Sequence, residues 1–284
     1  MKRIILIVIV SSLCGMTGLA QQHEFSLNGG IGLSTLSYTP AVGEKNGGIG
    51  GQFGLGYRYY ITPQWSGVTG IGYSIHNAGY KINSLEVNSR ATDIDNDDFD
   101  FKSTLTGYEE KQKAAFLQIP LMGQYQNVIG THQFYGAAGF KFGIPLGGNY
   151  NASASTIKNT GYYAEPEDME YEEQEFMGFG PFNNRAYNGK SQLNLAIFFS
   201  LEAGFKFMLQ EKLSVYAGVF FDYGLNNISK PAKQPFVEYN STNPRNFTVN
   251  SIAHSEYKPN ESFTDKIIPM AVGIKVALAF ALGE

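Results

Sequence analysis

Hydrophobic and polar positions alternate with a period of two along most of this chain. From Ile49 to Ile61 the odd positions are Ile49, Gly51, Phe53, Leu55, Tyr57, Tyr59 and Ile61, and the even ones are Gly50, Gln52, Gly54, Gly56, Arg58 and Tyr60. A strand sends successive side chains to opposite faces, so one face is apolar and aromatic and the other small, polar or charged. The same reading predicts strands over Phe25–Tyr38, Trp65–His76, Ala114–Asn127, Gln133–Ile144, Gln192–Phe207, Leu213–Tyr223 and Lys266–Leu282. In the sixth of the eight strands the apolar set is Leu193, Leu195, Ile197, Phe199, Leu201, Ala203, Phe205 and Phe207.

The connections carry a second pattern. Tight turns follow Ile61, Asn127 and Phe207, and they alternate with longer stretches after Tyr38 and at about 77–113, 145–190 and 225–265. A transmembrane barrel places short turns on the periplasmic side and long loops outside, whereas a soluble β-sandwich has turn signals every 8–12 residues or so. The fold expected is therefore all-β, an eight-stranded antiparallel up-and-down transmembrane β-barrel. An even strand count puts both termini on the periplasmic side. Of the 25 acidic residues, 20 fall in the four longer connections, so charge is kept off the apolar faces and collected at a solvated rim. Tyr57, Tyr59, Trp65, Phe205 and Phe207 toward one end, with Tyr73 and Tyr223 toward the other, read as two interfacial girdles.

The first residues set the compartment. Lys2 and Arg3 precede an apolar stretch from Ile4 to Leu13, and Gly18-Leu19-Ala20 supplies small residues before Gln21-Gln22. This is a secretory signal, residues 1–20, ahead of a barrel over residues 21–284. The apolar run is too short to span a bilayer. Cys14 is the only cysteine and leaves with the signal, so disulfides and thiolate metal sites are excluded from the mature chain. A lipoprotein lipobox is disfavoured by bulky Leu13. Without Lys2 and Arg3 the 21 basic residues become 19 against 25 acidic ones, which argues against nucleic-acid binding.

Three segments resemble a known family. Tyr59-Tyr60-Ile61-Thr62-Pro63 at the first tight turn, Phe116-Leu117-Gln118-Ile119-Pro120-Leu121 in the fourth strand and Tyr223-Gly224-Leu225-Asn226-Asn227-Ile228 after the seventh are similar to the outer-membrane β-barrel domain widespread in the Bacteroidetes group, the PorT-like or porin-family proteins. Gln118 stands where that family often has an acidic residue. The resemblance implies the small-barrel architecture of OmpA and OmpX, insertion by the barrel-assembly machinery, and no particular reaction. The ending Phe280-Ala281-Leu282-Gly283-Glu284 lacks the terminal aromatic residue of many such barrels, and no peptidoglycan-binding domain is expected after the last strand.

Candidate chemistry is sparse. Strand parity puts Arg58, Glu202, Lys206 and Lys275 in the lumen, with Lys141 and Asp222 higher. An eight-stranded barrel is just wide enough for side chains to fill, so Glu202 among these bases is expected to seat a structural ion-pair network; a narrow conduction path is the alternative. His76, at the end of the third strand, and His254, beside Ser255 and Glu256, are the rim histidines that a small hydrolase would use; surface histidines are the plainer reading, and His23 and His132 lie at the other end. Asp93, Asp95 and Asp97 head an acidic run that invites calcium, but Asp98 and Thr104 stand where an EF-hand loop needs Gly and Glu. A solvated, self-repelling loop is favoured there, as for Glu165–Glu175. Asn151, Asn240, Asn246 and Asn260 match glycosylation acceptors by chance. No cofactor motif is present. The function expected is a non-enzymatic, monomeric outer-membrane protein whose acidic loops meet an extracellular partner.

Overall fold

The computed structural model describes residues 23–37, 42–129, 132–164, 168–230, 234–258, 260–264 and 266–282; the signal segment 1–20 lies outside the described residues. Eight strands form a closed antiparallel ring: β1 (His23–Ser37), β2 (Glu44–Tyr60), β3 (Trp65–Thr92), β4 (Asp98–Ile129), β5 (His132–Tyr163), β6 (Ala196–Gln210), β7 (Leu213–Gly224) and β8 (Ile268–Leu282). Each pairs with its neighbours in sequence, and β1 closes on β8 from His23–Leu282 to Ser37–Ile268.

The alternation decides which way each residue points. Phe25, Leu27, Ile31 and Leu33 of β1 are exposed, as are Phe53, Leu55, Trp65, Ile71, Ile119, Leu121, Phe140, Leu201, Val219, Ile274 and Leu278 around the ring. Leu33 is 68% exposed, a burden in water but the favourable state in hydrocarbon. Among the described residues no helix is long and apolar enough to cross a membrane, which says nothing against crossing by strands. Small residues serve the inner face. Gly32 and Gly273 face each other, and a Cβ on either would sit 2.1–2.2 Å from a carbonyl oxygen of the opposite strand. The two backbones approach there as only glycine permits.

The stretches expected as loops at 77–113 and 145–190 are mostly strand. β3 runs on to Thr92, β4 starts at Asp98 and β5 continues to Tyr163, with an edge strand Gly180–Ser191 paired to β5 from Gly148 to Asn159. Above the barrel these form a sheet projection. Its inner face carries Tyr80, Ile82, Leu85, Val87, Phe99, Phe101, Leu105, Tyr108, Ile157, Phe179 and Phe182. The segment between β7 and β8 folds over that face and contributes Phe236, Val237, Phe247, Val249, Ile252 and Phe263 to a single hydrophobic core.

One feature of the projection hid it from a period-two reading. Neighbours pair on both sides of a row made by Asn83, Gly107, Ser155 and Asn184, but these four are themselves unpaired. Each strand holds one extra residue there, so the buried set changes parity, from Ile82 to Leu85 on β3, from Leu105 to Tyr108 on β4 and from Ala154 to Ile157 on β5. A one-residue slip exchanges the two faces. Because all strands slip together, register is kept. Gly107 at φ 63° and Asn184 at φ 51° take the left-handed conformations required.

The sixth ring strand starts at Ala196 rather than Gln192. Leu193 belongs to the buried core and bridges to Ser229 instead of facing lipid, because the chain descends from the projection before it joins the ring.

Candidate functional site

The barrel interior holds two charged clusters. In the first, Glu24 of β1 pairs with Arg58 and accepts from Lys206 Nζ at 2.8 Å, Tyr216 Oη at 3.2 Å and Tyr60 Oη at 3.3 Å. Arg58 also donates from Nε to Gln124 Oε1 at 3.1 Å and lies 4.3 Å from the centre of the Tyr216 ring. In the second, Glu202 accepts from Lys275 Nζ at 2.7 Å and 2.9 Å, and Lys141 Nζ lies 3.4 Å from Glu202. Lys141 Nζ donates to Asp222 at 2.9 Å, and Ser200 Oγ donates to the same carboxylate at 2.6 Å.

Glu202 is thus not the one acid among Arg58, Lys206 and Lys275. Arg58 and Lys206 share Glu24, which the sequence reading left just before the first strand. Parity could have found it, since Glu24 continues the inward series Ser26, Asn28, Gly30. Beside the clusters is a cavity of about 60 Å³, lined by Asn28, Gln52, Gln118, Gln124 and the charged groups Arg58, Lys141, Glu202 and Lys275. That is room for a few waters.

Above Asp222 the interior turns apolar. His76 is buried, not at the rim as expected: its ring stacks on Phe198 at 5.5 Å and meets the edge of Phe116 at 5.9 Å. The reason is that β3 does not end there, so an inward residue at that level remains inside. From Phe116 upward the interior merges with the core of the projection. His254 is half-buried, with Nδ1 3.1 Å from the carbonyl oxygen of Lys230, and burial holds it below the usual imidazole range. Ser255 donates to the Ser251 carbonyl and Glu256 accepts from the Asn260 amide, so these neighbours form no relay with His254.

The acidic stretches are tied locally. Asp93 Oδ1 accepts from the amides of Asp95 and Asp97 at 2.9 and 3.0 Å, and Oδ2 accepts from Tyr163 Oη at 3.0 Å. This is the chemistry of a hairpin turn. Among the described residues no three acidic, histidine or cysteine side chains gather as a metal site, Asp93, Asp95 and Asp97 included. Beyond that turn, several of the acids expected to repel one another are ion-paired among the described residues: Glu109 with Lys81, Glu170 with Lys102, Glu172 with Lys158, Glu175 with Arg245, and Asp98 and Asp100 with Arg90. Folding the stretches brings these particular acids within reach of a base.

Glu110 has no counterpart in the sequence reading. It is buried with no cation beside it, and it accepts from Tyr108 Oη at 2.5 Å, Gln112 Nε2 at 2.6 Å, Ser251 Oγ at 2.6 Å and the Ile252 amide at 3.1 Å. Burial raises its carboxyl above the ordinary range, against the opposing pull of these four donors. It fastens the segment between β7 and β8 to the sheet.

A ring with an apolar outside, an ion-paired inside and an apolar core over one mouth is a small membrane barrel. Residues 19–230 match the outer membrane protein beta-barrel domain, and the chain belongs to that family of bacterial outer-membrane proteins. Among solved structures it is similar to Neisserial surface protein A, at 8% identity and a TM-score of 0.34, covering 90% of this chain and 95% of that one. Similar too are a major outer membrane protein of Thermus thermophilus, at 12%, 0.35, 92% and 99%, and OprG of Pseudomonas aeruginosa, at 12%, 0.31, 92% and 96%. No curated protein sequence matches the chain.

Proposed function

We propose that this protein is a non-enzymatic surface module: a plugged barrel anchors a rigid sheet projection that meets a partner outside the cell, with both chain termini in the periplasm. The observation that carries this reading is the continuous core joining the barrel interior to the projection. A loop that serves only to connect strands has no need of a core, and a recognition surface held rigid loses less entropy on binding. The polar outer face, with Thr104, Asn151 and Ser153 among its cross-strand ion pairs, suits a hydrated partner. The resemblance of the Tyr59–Pro63, Phe116–Leu121 and Tyr223–Ile228 segments to PorT-like proteins agrees with a dedicated surface role and gives no ligand.

Conduction is the poorer reading. An ion would have to break the Lys141–Asp222 and Lys275–Glu202 pairs and then cross the packing around His76, Phe116 and Phe198. A hydrolase is poorer still, because His76 is enclosed by rings and His254 faces a backbone carbonyl. The test is protease treatment of intact cells together with planar-bilayer recordings. Cleavage within residues 225–267 on intact cells and no stepwise conductance are expected. Cleavage only after cell disruption would reverse the orientation, and stable single-channel steps would defeat the anchor reading.

A further inference from the structure

On the outward face of the projection, the side chains next above the apolar belt are basic. Lys113 on β4 and Lys190 on the edge strand both pair, Cα to Cα, with Asn149 of β5, from opposite sides. They are therefore about 10 Å apart at the backbone, two strand spacings. Lys111 lies one outward position higher on β4, opposite Asn151, which in turn faces Asn188. All six side chains are exposed. Lower on the same strands, past Ala115 and Leu117 on β4, come Ile119 and Leu121 of β4, and Ile144 and Leu146 of β5, all four exposed.

The contrast with the other lysines of this face is informative. Lys81, Lys102 and Lys158 are each matched to a carboxylate. Among the described residues Lys111, Lys113 and Lys190 are in no salt bridge, and Glu109, the nearest acid on this face of β4, is held by Lys81 with a weaker pull from Lys111. Three cations outside any salt bridge, set in a triangle with amide side chains between them at the edge of hydrocarbon, are placed to receive an anion. The bilayer supplies anions at that height.

We infer that Lys111, Lys113 and Lys190 bind the phosphate of a lipid headgroup in the leaflet on the projection side. The lipid's acyl chains lie along Ile119, Leu121, Ile144 and Leu146, and its phosphate sits above them between the β4 and edge-strand lysines. Asn149 and Asn151 offer amide hydrogens to the remaining oxygens. A free phosphate ion lacks the apolar part and would gain only the exposed, salt-screened half of this interaction.

The experiment uses the purified full-length protein in a neutral detergent, with bis-phosphorylated lipid A and its dephosphorylated form as probes, and reads bound lipid by native mass spectrometry. The wild type is expected to hold the phosphorylated lipid and not the dephosphorylated one. The triple variant K111Q/K113Q/K190Q is expected to bind it at least about tenfold more weakly, since each basic residue near a membrane surface adds to the attraction for an anionic headgroup. K102Q/K158Q, on the same face but higher, is expected to match the wild type. Heat-modifiable migration on gels confirms that each variant is a folded barrel. Equal retention by the wild type and the triple variant, or equal retention of the dephosphorylated lipid, overturns the assignment. So does displacement of the lipid by an equal concentration of inorganic phosphate, which would make the site one for the free ion.

Discussion

At the scale of single residues, the two lumen clusters differ in how much each depends on one acid. Glu24 serves both Arg58 and Lys206, whereas loss of Glu202 strands Lys275 but leaves Lys141 with Asp222. Removing one partner of a buried pair costs about 3–5 kcal/mol. Glu202→Leu is expected to lower the unfolding free energy of the vesicle-inserted barrel by that order, read as a lower urea midpoint, and Glu24→Leu to lower it further. An unchanged midpoint for both would mean that the pairs do not support the barrel. Glu110 has a different consequence. Its folded carboxyl titrates above the unfolded value, so the stabilisation it gives is complete below the ordinary carboxylate pKa and is lost as pH rises through the raised one. The segment 225–267 should therefore become easier to cleave as pH rises from acid toward neutral. E110Q should flatten that dependence, and limited proteolysis across pH reads both.

At the scale of elements, the ring was legible because lipid enforces strict alternation: Phe25 to Leu33 and Val272 to Phe280 are read correctly from parity alone. The projection was not legible, for two physical reasons. Its outer face meets water, so Lys81, Glu86 and Lys111 look like loop residues, and the row at Asn83, Gly107, Ser155 and Asn184 inverts parity midway. Glu110 keeps the inward parity of Ala114 and Phe116 but lies before the strand as drawn, and Glu24 lies one position outside its own, so both escaped notice. The Arg58, Glu202, Lys206 and Lys275 positions followed from parity, but not the partner of each. The shared slip also makes a sharp expectation. Deleting Gly107 alone would turn Phe99, Phe101 and Leu105 outward while β3 and β5 keep their phase. The variant should retain heat-modifiable barrel migration and lose the protease resistance of the projection; an intact projection would show that the row is dispensable.

At the scale of the whole molecule, hydrocarbon and a buried core act in series along one set of strands. The lower parts of β3, β4 and β5 are held by lipid on one side and ion pairs on the other, and their upper parts by water on one side and aromatic packing on the other. Exchanging the medium at mid-strand without breaking the ladder is what lets a small barrel carry a sheet well clear of the bilayer. On the proposed reading the same core, seated over the mouth, also closes the passage. Blocked conductance and an accessible projection are therefore one expectation rather than two.

The ladder does not rise evenly around the ring. β2 pairs with β3 no higher than Lys81, and β6, β7 and β8 lie against the lower part of the wall, so the tall sheet stands on β3, β4 and β5 alone. The molecule consequently has a parapet along one flank and a low sill along the other. A visitor drifting in the plane of the membrane would meet lysine and asparagine on the first side, and on the second the fold of chain that roofs the barrel. Which flank a neighbour touches would govern what it feels, so crowding in the bilayer could orient this protein as well as confine it.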